Sequence, residues 1–271
     1  MTTQSKVIFI TGTSRGIGKA LADELKNQGH IVYGCSRSGD ENDDRHLKFD
    51  VTDYDDSVAA VEQIVSKEGR LDAVVNNVAY HLLGASEETS IDEIRAQFEV
   101  NFFGALNVIK AATGTMVEQR AGHIVNVTSL PARIALPFMS AYCASKYALE
   151  GYSRSLRAEV LPFGVQVANI VPAGVDTGTA DQSVKVTATP AEPFEPLRRD
   201  LTKGIQAGQH EGITSVSDVV TAIIDTLTDP APAFSNIVGA TAKQFIDAEK
   251  NLPEADIEAM IRNFTGLPES V

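Results

Sequence analysis

Residues 6–18 read Lys-Val-Ile-Phe-Ile-Thr-Gly-Thr-Ser-Arg-Gly-Ile-Gly, and Lys19 to Gln28 continue as an apolar-periodic stretch closed by Gly29. Lys6 to Ile10 has the length and β-branched content of a buried strand, whereas Lys19 to Gln28 repeats its apolar residues at helical spacing. Gly12, Gly16 and Gly18 fill the turn between them. A strand that passes through a tight glycine turn into a helix forms a site for a pyrophosphate. The turn must be sharp, the backbone must come close to the phosphates, and the helix amino terminus favours negative charge. The spacing is G-x-x-x-G-x-G rather than the commoner G-x-G-x-x-G.

The same alternation runs outward along the chain. His30 to Ser36 and His46 to Phe49 read as strands, and Tyr54 to Lys67 reads as a helix capped by Thr52 or Asp53. Leu71 to Val75 is a strand, and Ile91 to Glu118 is one long helical stretch. Within that stretch Asn101-Phe102-Phe103-Gly104 is locally unfavourable to a helix, which predicts a bend with freed backbone groups. His123 to Thr128 and Val165 to Val171 are further strands around a helix at Ala141 to Glu159; Ser217 to Leu227 is a helix, Phe234 to Val238 a closing strand, and Lys243 to Phe264 a helical tail. Strands alternating with helices throughout predict an α/β fold with a parallel, doubly wound sheet. The segment from Gly178 to Gly212 has weak periodicity and many Thr, Pro and Glu residues, and reads as a mobile insertion over a substrate.

Composition narrows the function classes. At 271 residues and 43% hydrophobic, the chain fits one large α/β domain, residues 1–271. A formal net charge of −13 argues against nucleic acid or an anionic membrane as the main partner. An anionic cofactor therefore needs locally placed Arg and Lys. No apolar run reaches the length of a membrane span, and the amino terminus enters the first strand without a signal-like apolar region, so the expectation is a cytoplasmic protein. Two cysteines, Cys35 and Cys143, suit a reducing compartment and supply too few ligands for a metal site. The acidic run Asp40 to Asp44 reads as a solvated loop.

Three positions carry the candidate chemistry. Ser129 follows the strand His123 to Thr128, at the carboxyl end where open α/β sheets place their ligands. Tyr142 and Lys146 stand four apart on a predicted helix, which puts phenol and ammonium on one face. A nearby ammonium lowers a phenol's pKa and fits it for proton transfer, while a serine hydroxyl can hold a substrate oxygen beside it. At the tip of the second strand Ser36-Arg37-Ser38 offers an arginine and no carboxylate. With Arg15 in the glycine turn, that favours NADP over NAD, since an arginine suits a 2′-phosphate. Asn76-Asn77, at another strand tip, either brace the sheet or line the cofactor cleft.

Taken together, Thr11-Gly12-x-x-x-Gly16-x-Gly18, Asp50, Asn76-Asn77, Asn101, Ser129, Tyr142-x-x-x-Lys146 and Pro172 through Thr177 resemble the short-chain dehydrogenase/reductase family over Lys6 to Thr177. The resemblance implies a single-domain Rossmann fold with a seven-stranded parallel sheet, a variable substrate segment at about 178–212 and a helical tail at about 241–271. It implies hydride transfer between a nicotinamide and a carbonyl or secondary alcohol, with Tyr142 as acid/base and Ser129 orienting the reacting oxygen. Lys146 would bind the nicotinamide ribose, and Asn101 would hold a water in a relay to it. Gly12, Ser14, Arg15, Gly16, Ile17, Gly18 and Arg37 would hold the adenosine and phosphates, Asp50 and Val51 the adenine, and Asn77 the ribose region. Pro172, Val175 and Thr177 would lie at the nicotinamide, Thr177 reaching its carboxamide, and a homodimer or homotetramer is expected. Two departures, Asn76-Asn77-Val78-Ala79 for Asn-Asn-Ala-Gly and Pro172-Ala173 for Pro-Gly, add side chains where backbone usually runs close to the cofactor.

Leu82, Leu83, Leu130, Ile134, Leu136, Phe138 and Met139 flank the presumed reacting carbon, and such a lining suits an apolar small-molecule substrate, with Leu136 and Phe138 as substrate contacts beside Ser129 and Tyr142. His81 reads as a loop histidine. The leading expectation is an NADP-dependent ketone reductase or alcohol dehydrogenase, with steroid-like or retinoid-like compounds as an analogy. The alternatives are a 3-oxoacyl thioester reductase and a non-catalytic regulator that senses NADP.

Overall fold

A computed structural model describes residues 5–39, 43–175, 184–189, 191–201 and 214–268. Seven strands form one parallel sheet: β1 (Val7–Thr11), β2 (Ile31–Ser36), β3 (His46–Lys48), β4 (Ala73–Asn76), β6 (Gly122–Val127), β7 (Val165–Pro172) and β9 (Ser235–Val238). Their spatial order is β3-β2-β1-β4-β6-β7-β9. The chain starts in the middle, winds outward through β2 and β3, then returns to β4 on the other side of β1. That reversal opens a crevice at the carboxyl ends of β1 and β4, where such sheets take ligands.

Alternation along the strands loads both faces. Val7 and Phe9 join Tyr33, Val74 and Ile124 against α2 (Tyr54–Glu68), α4 (Gly104–Gln119) and α5 (Ser140–Val160). Ile8 and Ile10 point the other way, to Leu21 and Leu25 of α1 (Gly16–Asn27) and to Val219 and Ile223 of α6 (Val216–Thr228). Asp53 caps α2 by accepting from the Asp56 amide, the second of the two caps expected. Among the described residues no helix is long and apolar enough to cross a membrane.

Three buried asparagines stand in register across adjacent strands, Asn76 opposite Asn126 and Asn126 opposite Asn169. Asn76 donates its side-chain amide to Asn126 Oδ1 at 2.8 Å, and Asn126 donates to Ser153 Oγ of α5 at 2.9 Å. Asn76 thus braces the sheet, one of the two readings its position allowed.

The long helix expected from Ile91 is broken. α3 (Ile91–Phe98) begins with a capping box of Ser90 and Glu93, then widens into a π turn at Glu99–Phe103 before α4. The bend falls on the Asn101-to-Gly104 stretch that the sequence marked. The helical tail is likewise two helices, α7 (Ala240–Asn251) and α8 (Glu254–Thr265), parted at Leu252-Pro253 because proline cannot continue the ladder.

Two short strands escaped the sequence reading. β5 (His81–Leu83) pairs in parallel with β8 (Val184–Val186), Leu82 opposite Lys185. The described part of the 178–212 segment is thereby docked on the body of the protein, where a loose insertion was expected. Two carboxylates fix it further. Glu88 accepts from the Ala191 amide and, through both oxygens, from Arg198, while Glu93 accepts from the Ala188 amide.

Candidate active site

A cleft of about 490 Å³ runs along the carboxyl ends of the strands, from the glycine turn to the tail helix α8. At one end it is walled by Gly12, Ser14, Arg15, Gly16 and Ile17, by Arg37 at the tip of β2, and by Asp50 and Val51 after β3. Gly12 has φ +74, which glycine alone adopts freely. Gly18 does not face the cleft. It lets α1 pack on the turn, because a Cβ there would stand 2.3 Å from the Gly12 carbonyl oxygen. No side chain caps α1 at Arg15, so its first amides remain available to an anion. Asn77 braces this turn, donating to the Thr11 and Gly12 carbonyls at 3.0 and 3.2 Å, and also lines the cleft. Both roles allowed for the second asparagine are therefore filled.

Arg37 is exposed and makes no ion pair among the described residues. The described acids beyond it are engaged elsewhere, Asp43 with Lys26 and Asp44 with Lys67. Asp50 turns one carboxylate oxygen to the backbone and hydroxyl of Thr52.

The other half of the cleft holds Ser129, Tyr142 and Lys146. Ser129 leaves β6 in extended conformation at φ −169; its hydroxyl donates to the Pro172 carbonyl at 3.5 Å and lies close enough to the Tyr142 phenol to lower its pKa. Lys146 lies one helical turn beyond Tyr142 on α5, its ammonium 5.9 Å from the phenol ring centre and donating to the Val127 carbonyl at 3.0 Å. Burial dominates both groups. It pushes the phenol well above its ordinary range, partly offset by the Ser129 hydroxyl, and it lowers the Lys146 ammonium to about 8. The expected lowering of Tyr142 by Lys146 is therefore not what the protein alone displays, since desolvation governs the shift and Ser129, not Lys146, opposes it.

Asn101 sits inside the π turn, buried. Its side chain is tied to the backbone of Tyr80, accepting from the amide at 3.0 Å and donating to the carbonyl at 2.9 Å, and it does not line the cleft. The amide thus fixes the chain entering the site at Tyr80. The π turn around it leaves carbonyls without the usual i+4 partners, a feature that Asn-Gly signalled only as a bend.

The expected apolar wall is half right. Leu83, Leu130, Leu136 and Met139 line the cleft, whereas Leu82 and Ile134 are buried in the core. Phe138 does not line it and packs edge-on against Phe194, at a positive φ of 60. Pro172, Ala173 and Val175 line the cleft, as do Val78 and Ala79, so both departures leave it open; Thr177 lies outside the described residues. Four lining residues had no signal strong enough to find them: Val184 and Lys185 from β8, and Thr241 and Phe264 from the tail. His81 is no bystander, since its ring lies 4.2 Å from that of Tyr142.

The cleft fits a nicotinamide dinucleotide by its own geometry: a glycine turn at the uncapped amino end of α1 for the phosphates, an arginine at the ribose end, and two hydroxyls and an amine at the other. Residues 6–187 match the short chain dehydrogenase family. The chain is 42% identical over 180 residues to the 3-ketodihydrosphingosine reductase of Bacteroides thetaiotaomicron, covering 66% of this chain and 67% of that protein. It is 39% identical over 181 residues to the NADPH-dependent 1-acyldihydroxyacetone phosphate reductase of Schizosaccharomyces pombe, covering 64% and 60%. A short chain dehydrogenase of Burkholderia cenocepacia, solved in complex with NADP, superposes with a TM-score of 0.75 at 25% identity, over 95% of this chain and 97% of that one. Fold, cleft and likeness agree that this chain belongs to the short-chain dehydrogenase/reductase family, the NAD(P)-dependent oxidoreductases.

Proposed function

We propose that the protein is an NADPH-dependent reductase of apolar ketones. The observation that carries this is that Ser129 and Tyr142 stand together in the wall of a cleft whose far end is a phosphate cradle. When bound, the nicotinamide supplies the hydride that a carbonyl carbon accepts. The protein supplies the proton. As the new C–H bond forms, charge builds on the substrate oxygen, Ser129 Oγ holds that oxygen, and Tyr142 Oη gives up its proton to it. A phenol whose pKa is raised by burial stays protonated near neutral pH, which suits it as the acid of a reduction better than as the base of an oxidation. Lys146 donates to the Val127 carbonyl in the floor of the cleft and would bind the nicotinamide ribose.

NADP is favoured over NAD by Arg37, an arginine without an ion partner among the described residues at the tip of β2, where no carboxylate stands to accept from a 2′-hydroxyl. Leu83, Leu130, Leu136, Met139 and Phe264 favour an apolar body for the substrate. Both relatives named above are reductases, one of a keto sphingoid base and one of an acylated dihydroxyacetone phosphate.

The test is oxidation of NADPH and of NADH, followed at 340 nm, with long-chain ketones. Preference for NADPH, with turnover lowered about 10²- to 10⁴-fold in Tyr142→Phe while NADPH binding persists, is the expected result. Undiminished turnover in Tyr142→Phe would overturn the assignment of the acid.

A further inference from the structure

Resting on the reductase reading above, we infer that His81 is a specificity residue whose imidazole hydrogen-bonds a hydroxyl on the carbon next to the reacting carbonyl, so that the substrate is a hydroxyketone with an apolar body. Contact with the acid is the first observation. His81 lines the cleft, and its ring centre lies 4.2 Å from that of Tyr142, the two planes tilted by 44°. A substrate oxygen held at the phenol therefore has the imidazole as its neighbour, at a separation that oxygens on adjacent carbons can span. Leu136 and Met139 pack in the same cluster as Tyr142, with Leu83 against it, and these three lining residues offer no side-chain donor.

His81 is also held where it stands. Along β5 the side chains alternate, so that Leu82 turns into the core while its neighbours His81 and Leu83 face the cleft. The backbone groups are taken from two sides. On one side stand two buried amides: Gln97 accepts from the Leu82 amide and donates to the Tyr80 carbonyl, both at 2.9 Å, and Asn101 accepts from the Tyr80 amide at 3.0 Å. On the other side is β8, with Val184 opposite His81 and the Thr187 amide donating to the Leu83 carbonyl at 2.8 Å. A side chain on a segment fixed in this way keeps the direction that a hydrogen bond to a ligand requires.

The chemistry of the ring suits the task. An imidazole carries its nitrogens on different edges, so one can serve the protein while the other serves a ligand. Nδ1 of the half-buried His81 is itself buried, which leaves the edge with Nε2 to meet a substrate. A neutral imidazole donates from one nitrogen and accepts at the other, and a hydroxyl can answer either role. A phenyl ring would cover Tyr142 as well and exclude water from it, yet would give the ligand no such bond.

The test reads binding, so it does not depend on turnover. Octan-2-ol and octane-1,2-diol, the products of a plain ketone and of a hydroxyketone, are titrated by calorimetry into the NADPH-saturated protein, in which no hydride can pass to or from an alcohol. The diol should bind about fivefold to tenfold more tightly, the worth of one neutral hydrogen bond. His81→Phe, which keeps a ring against Tyr142, should bring that ratio to within about twofold of unity, and His81→Gln, which keeps a donor and an acceptor, should restore part of it. Equal affinities in the wild-type protein would overturn the inference. So would a ratio unchanged in His81→Phe, even with both alcohols weakened, because the ring would then serve only to pack on Tyr142. A protein that reduces octan-2-one with NADPH but binds the two alcohols equally defeats this inference alone. One that prefers the diol but oxidises no NADPH with any ketone defeats the reductase reading.

Discussion

Replacing Gly18 with Ala should disable the cofactor site through one methyl group. A Cβ built at this position lies 2.3 Å from the Gly12 carbonyl oxygen, 3.0 Å from its carbon and 2.6 Å from Asn77 Nδ2. Carbon–oxygen contacts normally begin near ~3.3 Å, so α1 must retreat by roughly 1 Å from a turn that is backbone and cannot swing aside. Overpacking of this kind costs about 1–3 kcal/mol. Displacing Asn77 also endangers its bonds to the Thr11 and Gly12 carbonyls, at about 0.5–1.5 kcal/mol each. The sum, about 2–6 kcal/mol, corresponds to a melting temperature lower by roughly 5–20 °C. Gly114→Ala is the internal control. Its Cβ meets nothing within 4 Å in the interior of α4, so the same substitution should stabilise by about 0.5–1 kcal/mol. Thermal unfolding with and without NADPH measures both effects. Gly114→Ala should keep the stabilisation that bound NADPH confers, and Gly18→Ala should lose most of it. A Gly18→Ala protein within about 1 kcal/mol of wild type that still responds to NADPH would refute the packing argument.

Other perturbations test other parts. Arg37→Ala should raise the NADPH KM about tenfold, as expected for one exposed charge-assisted contact, and leave the NADH KM within about threefold; equal effects on both would remove Arg37 from cofactor choice. Glu88→Ala should cost about 3 kcal/mol in urea unfolding, because it removes the buried partner of Arg198, whose side chain is 9% exposed against 0% for Glu88, leaves that arginine the exposed Glu195, and strands the Ala85 and Ala191 amides. Burial pushes the Glu88 carboxyl up, but the Arg198 and backbone hydrogen bonds outweigh it and the net shift is downward. Its contribution is therefore present above the ordinary carboxylate range and lost as pH falls through its lowered value, so wild type should lose more stability on acidification than Glu88→Gln. Lys146, lowered to about 8 from 10.5, binds fewer protons folded than unfolded between those values, so its ionisation costs stability below pH 8 and relaxes upward. Lys146→Met should abolish turnover yet stabilise the protein at pH 7 by on the order of 3 kcal/mol, an advantage that shrinks as pH rises from 8 to 10.5.

Much of this was legible because the informative signals are local. The run Lys6 to Gly18 announces strand, turn and helix through backbone requirements that only neighbouring residues decide. Tyr142 and Lys146 share a face by spacing alone, and Asn101 to Gly104 announced a break in the long helix, though not its π form, by its poor helix propensity. What stayed hidden depends on contacts between distant segments. β5 and β8 are three residues each, 100 positions apart, and neither alternates long enough to signal a strand. Lys185 and Phe264 therefore reached the cleft unannounced. Leu82 and Leu83 are adjacent and alike, yet one is core and the other wall, a matter of strand phase that composition cannot reveal. The electrostatics were also misjudged, because the fall expected for Tyr142 assumed a solvated neighbour charge and ignored that both groups are buried.

The asparagine ladder bears on how accurately the site is assembled. β4, β6 and β7 are almost wholly buried, so sliding one past another by two residues would leave nearly the same apolar pattern facing each layer. Asn76, Asn126 and Asn169 remove that degeneracy, since any such slip buries amides without partners at about 1–3 kcal/mol each. Ser129 and Pro172 each follow a ladder asparagine by three residues, and Asn77 follows one directly. A slip of two positions would move a loop by about 6.6 Å, more than the tolerance of a hydrogen bond. The ladder is thus the alignment mark from which the hydroxyl, the cofactor turn and the floor of the cleft are measured out.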